Sequence, residues 1–555
     1  MSSSALMSIG VKALAASYAN LQTTGHNIAN ANVAGYSRQS AVLTPTPGQF
    51  TGSGYFGRGV DVAGVTRAHD AFLVREATGA RSVASMDAAR LARLQQLEGL
   101  FPPGEQGLGH AVTQFFDAMT DVTTQPGDLS ARQVVLARAG DLASQFRRLG
   151  AAFDTLQGGV GADLQTAVAD VNALARNVAD LNARIVAAGA LGQPPNDLLD
   201  QRDQLIARLA AHVQITRIDA GDGSAGLFVA GGQSLVLGAQ ANALALQPDA
   251  ADPSRSALAI SSGDAARTLD PRALGGGDIA GLLQFQNEDL VAARNLAGRL
   301  GAALAGAVNA QQKLGLTLDN AAGGDLFALG APRALPNARN AKDPVGAPIG
   351  QVALTVVDPS RLQASEYDLR ADPSNAGRWL LTRLADGKQT SIAGGDTVDG
   401  LRIDVGPGMP QAGDSFLLQP VTRAADGMAL ALGDPRGIAA AAAGTPVGAL
   451  GSDGGNAAAL LALRDAGIVD GRSAADAYAQ AMATVGLQVQ SGRTSAQLST
   501  AAATQADQAS ASVAGVNLDE EAARLLQYQQ SYQAAAKVLQ VAQSLLDTLL
   551  QAARA

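Results

Sequence analysis

A chain of 555 residues that is 47% hydrophobic can bury several cores, and at roughly 150 residues per domain it divides into three or four units. Its 49 acidic and 40 basic residues give a formal charge of -9; the basic residues are scattered, which leaves no phosphate-tracking surface and argues against nucleic acid as a partner. Aromatic residues make up 4% and cysteine is absent, so disulfides, thiolate metal sites and cysteine nucleophiles are excluded, and large aromatic-lined pockets are hard to build.

Met1 to Ile9 holds no basic segment followed by an apolar stretch, and no run reaches the ~18 apolar residues needed to span a bilayer. The expectation is a chain with no cleaved signal peptide and no membrane contact. Met7, Val11, Leu14, Tyr18, Leu21, Gly25 and Ile28 then recur at alternating spacings of four and three, the period of a coiled-coil seam, which predicts an amphipathic helix. Further helical periods run from about 75 to 210, the cleanest being Val171, Leu174, Val178, Leu181 and Ile185. Gly189 to Pro195 breaks the pattern. Asn196 is placed to N-cap the next helix through Leu198, Leu199, Leu205 and Ile206, giving an antiparallel pair.

Between about 213 and 262 the period changes to two, around Val213–Ile218, Leu227–Val229 and Leu235–Leu237, with turns at Asp222-Gly223 and Gly231-Gly232; a small β element interrupts the helices. Helical spacing returns from 278 to 312. Residues 346 to 422 then read as strands, including Val352–Val357, Tyr367–Leu369, Trp379–Leu384, Leu401–Val405 and Ser415–Val421, with turns at Asp386-Gly387 and Asp399-Gly400, so an all-β domain is inserted here. Residues 456 to 510 go back to alanine-rich helix. At the C-terminus, Leu518, Leu525, Tyr528, Tyr532, Ala535, Leu539, Ala542, Leu546 and Leu549 fall on successive a and d positions, broken by Glu521. The two terminal seams can pair with each other, with another subunit, or with both, and periodicity does not choose.

The expected fold is therefore multidomain α+β. Terminal helices (1–60 with 505–555) form a coiled-coil-like rod; a mainly helical domain (61–345 with 440–504) carries the β element near 213–262; an all-β domain (346–439) is inserted into it. Candidate chemistry is sparse. His26, His69, His110 and His212 each stand apart from Asp or Glu at ligand spacing, and Gly54 to Gly59 lacks the Lys-Ser/Thr ending of a phosphate loop. Asp319, Asn320 and Asp325 do not match a calcium loop. Asp200 and Asp203, with Arg202 and Arg208 nearby, read as solvated ion pairs on an exposed helix face. No catalytic residue, cofactor or metal site is assigned.

The stretch from Thr23 to Gln39, with Asn27-Ile28-Ala29-Asn30 at its centre and Gly35-Tyr36-Ser37-Arg38-Gln39 at its end, resembles the N-terminal signature of flagellar axial proteins. Gly515 to Ala523 (Gly-Val-Asn-Leu-Asp-Glu-Glu-Ala-Ala), followed by Tyr528, Gln529, Gln530 and Tyr532, is similar to the matching C-terminal signature of the hook-associated FlgK family. Pro195 to Asp203 and Asp414 to Leu418 add interior matches, so the resemblance covers most of the chain. Gly25 or His26 stands where the family pattern carries Ser.

The resemblance implies a secreted, extracellular structural subunit at the hook–filament junction of the bacterial flagellum. It would leave the cell through the flagellar type III apparatus and form a ring of about eleven subunits, with terminal segments that become ordered on assembly. The implied partners are the hook protein, the second junction protein FlgL, other copies of itself, and an export chaperone of the FlgN type that would bind the stripe from Leu525 to Leu549. Assembly residues are then expected on the two seams and in the turn: Met7, Val11, Leu14, Tyr18, Leu21, Asn27, Ile28, Asn30, Gly35, Tyr36, Arg38, Leu518, Leu525, Tyr528, Tyr532, Leu539, Leu546 and Leu549. Rival readings are a hook or distal-rod subunit, a secreted hydrolase using Asp358, Glu366, Asp368 or Asp404, and an adhesin acting through the β domain; no histidine lies between 346 and 440 to serve a hydrolase.

Overall fold

The computed structural model describes residues 3–50, 54–190, 192–263, 265–346, 348–372, 375, 377–406 and 413–554. The expected terminal segment begins at Met1 and Ser2, which lie outside the described residues. Ten α-helices appear among those described: α1 (Ser3–Asn30), α2 (Ala71–Glu98), α3 (Leu108–Thr124), α4 (Leu129–Gly189), α5 (Asn196–His212), α6 (Asp278–Gln284), α7 (Leu290–Leu314), α8 (Gly455–Ala462), α9 (Ala474–Ala514) and α10 (Leu518–Arg554). A single π-turn, Phe285–Asp289, joins α6 to α7.

The 61-residue α4 is the spine, about 90 Å long at the helical rise. Phe146, Phe153, Val160, Leu164, Val171 and Val178 line one side of it and are fully buried. Their spacings of seven or fewer keep them on one stripe, against which α3, α5, α6 and α7 pack. Asp128 opens the helix by accepting from the Ser130 N–H, as Asp70 opens α2 by accepting from Phe72 and Leu73. Helix α2 lies against α9, so the segment before the inserted β region packs on the segment after it. The period-two region forms two antiparallel sheets: four strands between Thr216 and Ala241, and three between Ala243 and Thr268.

The inserted β region has its own core of Leu369, Trp379, Leu381, Ile403 and Leu418. Its five-stranded sheet runs Arg333–Pro336, Ser415–Gln419, Tyr367–Ala371, Trp379–Arg383, Gln389–Ile392, and a three-stranded sheet runs Val352–Val356, Leu401–Val405, Thr397–Val398. The edge strand at Arg333–Pro336 enters the sheet before residue 346. Alternation could not announce it, because four residues ending in proline suit only an edge.

The chain just past the strand Ser415–Gln419 packs directly on α7: a Cβ on Gly298 would lie 2.0 Å from the Val421 carbonyl oxygen. Beside this contact, Arg255 pairs with Glu366 and with Asp252 at 3.1 Å, and Gln419 Nε2 donates to Asp252 Oδ2 at 3.0 Å and to Glu366 Oε1 at 2.9 Å. The four carboxylates considered for hydrolase chemistry do not converge: Glu366 is held in this joint, Asp368 pairs with Arg370, Asp404 with Arg402, and Asp358 caps the turn at Ser360.

Asn196 departs from its expected role. Pro195 occupies the cap position of α5, and the Asn196 side chain donates instead to the Val65 carbonyl at 2.9 Å, tying α5 to the segment that follows α1.

His212, in the last turn of α5, meets Asp278, in the first turn of α6, at 2.9 Å. The hydrogen bond to Asp278 raises the His212 pKa despite partial burial. A group with a raised folded pKa stabilises the native state fully below its unfolded pKa of 6.5 and loses that contribution as pH rises through the folded value. The melting temperature of His212→Gln should therefore fall below the native one at about pH 6 and converge with it in mildly alkaline buffer; a gap that does not narrow with pH removes the ion pair as its cause.

Candidate functional site

Helices α1 and α10 lie side by side and antiparallel. Gly10 faces Leu539, where an added Cβ would come within 2.9 Å of Leu539 Cγ, and at the other end Asn27 bonds Glu521. The α1 surface turned inward consists of Gly10, Ala16, Ser17, Thr23, Thr24 and Asn27, all buried. Small and hydroxyl side chains let the backbones approach closely, and Thr23 returns its hydroxyl to the Ala19 carbonyl at 2.8 Å. On α10 the buried positions are Glu521, Ala535 and Ala542, two or one heptads apart, with Leu525, Tyr528, Tyr532, Leu539 and Leu546 half-buried around them.

The structure distributes the expected seam residues unevenly. On α1, Met7, Leu14, Leu21, Ile28 and Asn30 are half-buried, while Val11 and Tyr18 are exposed. On α10, Leu518 and Leu549 are exposed, together with Leu526, Val538, Val541, Leu545 and Leu550. The pair therefore buries a seam of small residues and keeps an apolar stripe on its outer side. Apolar periodicity alone overlooked the inner seam because Ser17, Thr23 and Thr24 do not register as hydrophobic.

At the end of α1 the chain turns through Ala31 to Arg38 and enters a long hairpin: β1 (Gln39–Pro45), β2 (Gln49–Phe50), β3 (Tyr55–Phe56) and β4 (Val60–Arg67). β1 pairs with β4 antiparallel, with a bulge at Val42/Leu43, and the hairpin lies back along α1, where Lys12 reaches Asp61 at 2.9 Å and Thr46 at 2.8 Å. Gly35 makes the turn with φ of +75°, a conformation that an L side chain resists. A Cβ added there would also fall 2.4 Å from Gln204 Cγ; the Gln204 amide donates to the Ala34 carbonyl at 2.7 Å.

Asn27 is the centre of this node. Its Nδ2 donates to the Gln39 carbonyl at 2.8 Å and to Glu521 Oε2 at 2.9 Å. Its Oδ1 accepts from the Gln39 N–H at 2.9 Å and the Tyr36 hydroxyl at 2.8 Å. Every hydrogen-bonding position of the amide is thus filled. Tyr36 also meets His26 Nδ1 at 2.9 Å; burial, with Asp197, Asp200 and Glu521 nearby, pushes its phenol well above the ordinary value. Glu521, only 1% exposed, is completed by Arg524 at 2.8 Å. Arg38 donates its N–H to the Ala514 carbonyl at 2.8 Å and pairs with Glu520 at 3.6 Å. Asn30 donates to the His26 carbonyl at 2.9 Å.

The same turn is clamped to α5. The Ser37 N–H donates to Asp200 Oδ2 at 3.0 Å, Arg67 pairs with Asp200 and Asp203 at 2.7 Å each, and Arg217 pairs with Asp203 at 2.6 Å. These carboxylates are not the solvated surface pairs that their helical spacing suggested: Asp200 is buried, and although burial opposes the Asp203 charge, Arg217 and Arg67 outweigh it and hold that carboxyl below the usual range. Arg202, also expected on an exposed face, is buried against Asn182 and the Gly223 carbonyl, and burial pushes its pKa down to about 10. Arg67 comes from a strand 133 residues from Asp200 in sequence, which no local motif could reveal, whereas Arg217 lies only 14 residues from Asp203.

Among the described residues, no group of three or more His, Asp or Glu side chains could hold a metal ion, and no helix is long and apolar enough to cross a membrane. What the node can do is mechanical. It ties the ends of α1 and α10 and the start of the hairpin to α5 and to the end of α9.

Residues 94–327 match the family described as flagellar hook-associated protein FlgK helical domain, residues 335–420 the flagellar hook-associated protein 1 D2-like domain, and residues 507–552 the flagellar basal body rod FlgEFG protein C-terminal. Flagellar hook-associated protein 1 of Salmonella typhimurium strain LT2 is 35% identical over 99% of both chains, and that of Escherichia coli K12 is 33% identical over 99% of both. The solved flagellar hook junction protein FlgK from Burkholderia pseudomallei shares the fold with a TM-score of 0.72, at 24% identity over 79% of this chain and 100% of that one.

Removing the Asn27 side chain should open the node locally. In Asn27→Ala, Glu521, Tyr36 and both backbone groups of Gln39 lose a partner, an effect on the order of 3 kcal/mol, so amide exchange in 20–30 and 518–530 should quicken roughly 100-fold while exchange in α4 stays as it was. Unchanged exchange at the two termini would show that the helix seam alone holds them.

Proposed function

The chain belongs to the flagellar hook-associated protein 1 family, and from that premise we propose that it is the junction subunit between hook and filament, assembling through its paired terminal helices and required for filament attachment. The observation that carries this reading is the double character of the α1–α10 pair. A seam of small residues is buried within the chain, and a second, apolar stripe (Val11 and Tyr18 on α1; Val538, Val541 and Leu545 on α10) is left outward. A two-helix layer in water is marginal, and a neighbouring helix covering that stripe would stabilise both subunits.

On this reading the assembly surface comprises the seam residues of both helices and the Asn27 to Arg38 turn, which sets the angle at which the helix pair leaves the body. The terminal pair (1–60 with 505–555), the helical domain (61–345 with 440–504) and the β domain (346–439, with its first strand at Arg333) act as separate units, the last facing away from the axis of the ring. The hook protein, FlgL and a ring of about eleven copies are the contacts proposed. Export proceeds through the flagellar type III apparatus, with a chaperone of the FlgN type on the Leu525 to Leu549 stripe. The role is structural and not catalytic, in keeping with a family of structural flagellar proteins.

Deleting the gene in its host should give cells with bare hooks and filament protein unpolymerised in the medium, seen by electron microscopy and immunoblot. Full-length filaments on the deletion strain would overturn the junction role. With Val541→Asp and Leu545→Asp together, which place charge on the outward stripe and leave the inner seam intact, secreted protein should appear in the medium at native levels while filaments drop at least tenfold; normal filament numbers would remove the stripe from the assembly surface.

A further inference from the structure

Aromatic side chains are rare in this molecule, with 12 Phe, 7 Tyr and 1 Trp in 555 residues, and most of the Phe residues are buried. Three lie exposed together on the far part of the hairpin: Phe50 is 62% and Tyr55 79% exposed, Phe56 sits beside them, and the Phe50 and Tyr55 rings meet at a tilt across the strands, their centroids 5.6 Å apart. A soluble chain keeps such a cluster in water only where something else covers it. At the base of the same hairpin, between the 34–37 turn and helices α2, α5 and α9, runs an open groove of about 680 Å³ walled by Ala34, Val74, Ala77, Ala207, Ala211 and Ala511. Arg81, Asp203, Gln204, Arg208 and Asp507 also line it, and between them the small side chains leave room for flat rings.

The hairpin cannot fill its own groove. The β1–β4 ladder of seven residue pairs separates tip from base by about 20 Å, and Lys12 and Ile9 hold its far part along α1, away from the groove. We propose that the Phe50/Tyr55/Phe56 tip of one copy docks in the alanine-walled groove of a neighbouring copy. Tip and groove are different surfaces, so the contact is head-to-tail and repeats around a ring or helix instead of closing a pair. Three aromatic side chains bury about 150–250 Å² each, less in total than the ~800 Å² per partner of a stable interface. The contact is too small to join two free copies and forms where the terminal helices already align them. It is also continuous with the helix pair, on which the hairpin rests. The inference rests on the junction reading.

The absence of cysteine makes the test direct. Tyr55→Cys and Ala511→Cys, both at exposed positions, are introduced together and singly in place of the native gene, and isolated flagella are oxidised and run without reductant. The double variant should give a ladder of multiples of the 55.9 kDa chain, and a strain carrying the two single variants together should give dimers only. Monomer alone, a loop within one chain, or an adduct with another flagellar subunit would overturn the proposal. As a second measurement, Phe50→Ser with Tyr55→Ser should leave the melting temperature of the purified protein unchanged and increase filament shedding at fixed shear at least tenfold; unchanged shedding counts against the contact, whatever the cysteine variants do. The gene-deletion strain separates the two ideas: filaments on it sink the junction reading, whereas bare hooks with no ladder sink only the docking.

Discussion

The amide of Asn27 faces three separate pieces of chain and satisfies all of them: the start of the hairpin through Gln39, the turn through Tyr36, and the C-terminal helix through Glu521. An aspartate could not donate, and would set a second carboxylate against a buried one; a longer glutamine would not reach both Gln39 backbone groups from the same Cα. The geometry at both ends of the molecule follows from that constraint. Because Gln39 is fixed, the hairpin leaves along α1; because Glu521 is fixed, α10 starts in register for Gly10 to meet Leu539.

The node would be loose if it were anchored only to the helices it joins. Asp200 and Asp203, one turn apart on α5, bring Ser37, Arg67 and Arg217 together, so the turn is held to the helical body by charges that water barely reaches. A buried ion network of this kind adds little net stability over an apolar contact, but it is strict about geometry. That strictness holds the helix pair at one angle to the helical body.

Much of the architecture was legible in the chain. The 3.5-residue seam of α10, the long helical periods of α4, the switch to period two near 213 and the inserted strands each come from side chains repeating on one face, which is a local property. Other features were not, and for identifiable reasons. Glu521 reads as a break in an apolar seam until Asn27 and Arg524 are seen to neutralise and bond it. Asp200 and Asp203 read as surface charges until Arg67 arrives from the hairpin. Asn196 reads as a cap, yet a hairpin carbonyl captures its amide. In each case a polar side chain is assigned by a partner more than a hundred residues away, or on another element, and sequence spacing carries no trace of it. The inner face of α1 was hidden for a different reason, since glycine, serine and threonine make a close seam without raising hydrophobicity.

The same long-range contacts set an order of folding. Asn27 and Glu521 are 494 residues apart, and closing so long a loop directly is slow, although the entropy of closure grows only with the logarithm of its length. The helical body shortens the search. Once α2 lies against α9 and α5 is in place, Ser37 is beside Asp200 and Arg38 beside Ala514, so that Asn517 starts α10 only a few residues from the point of closure, with its side chain accepting from the Asp519 N–H. The remaining loop from Arg38 through the α9 end to Glu521 is then short. Loop closure thus favours forming the helical body first and the terminal pair after it.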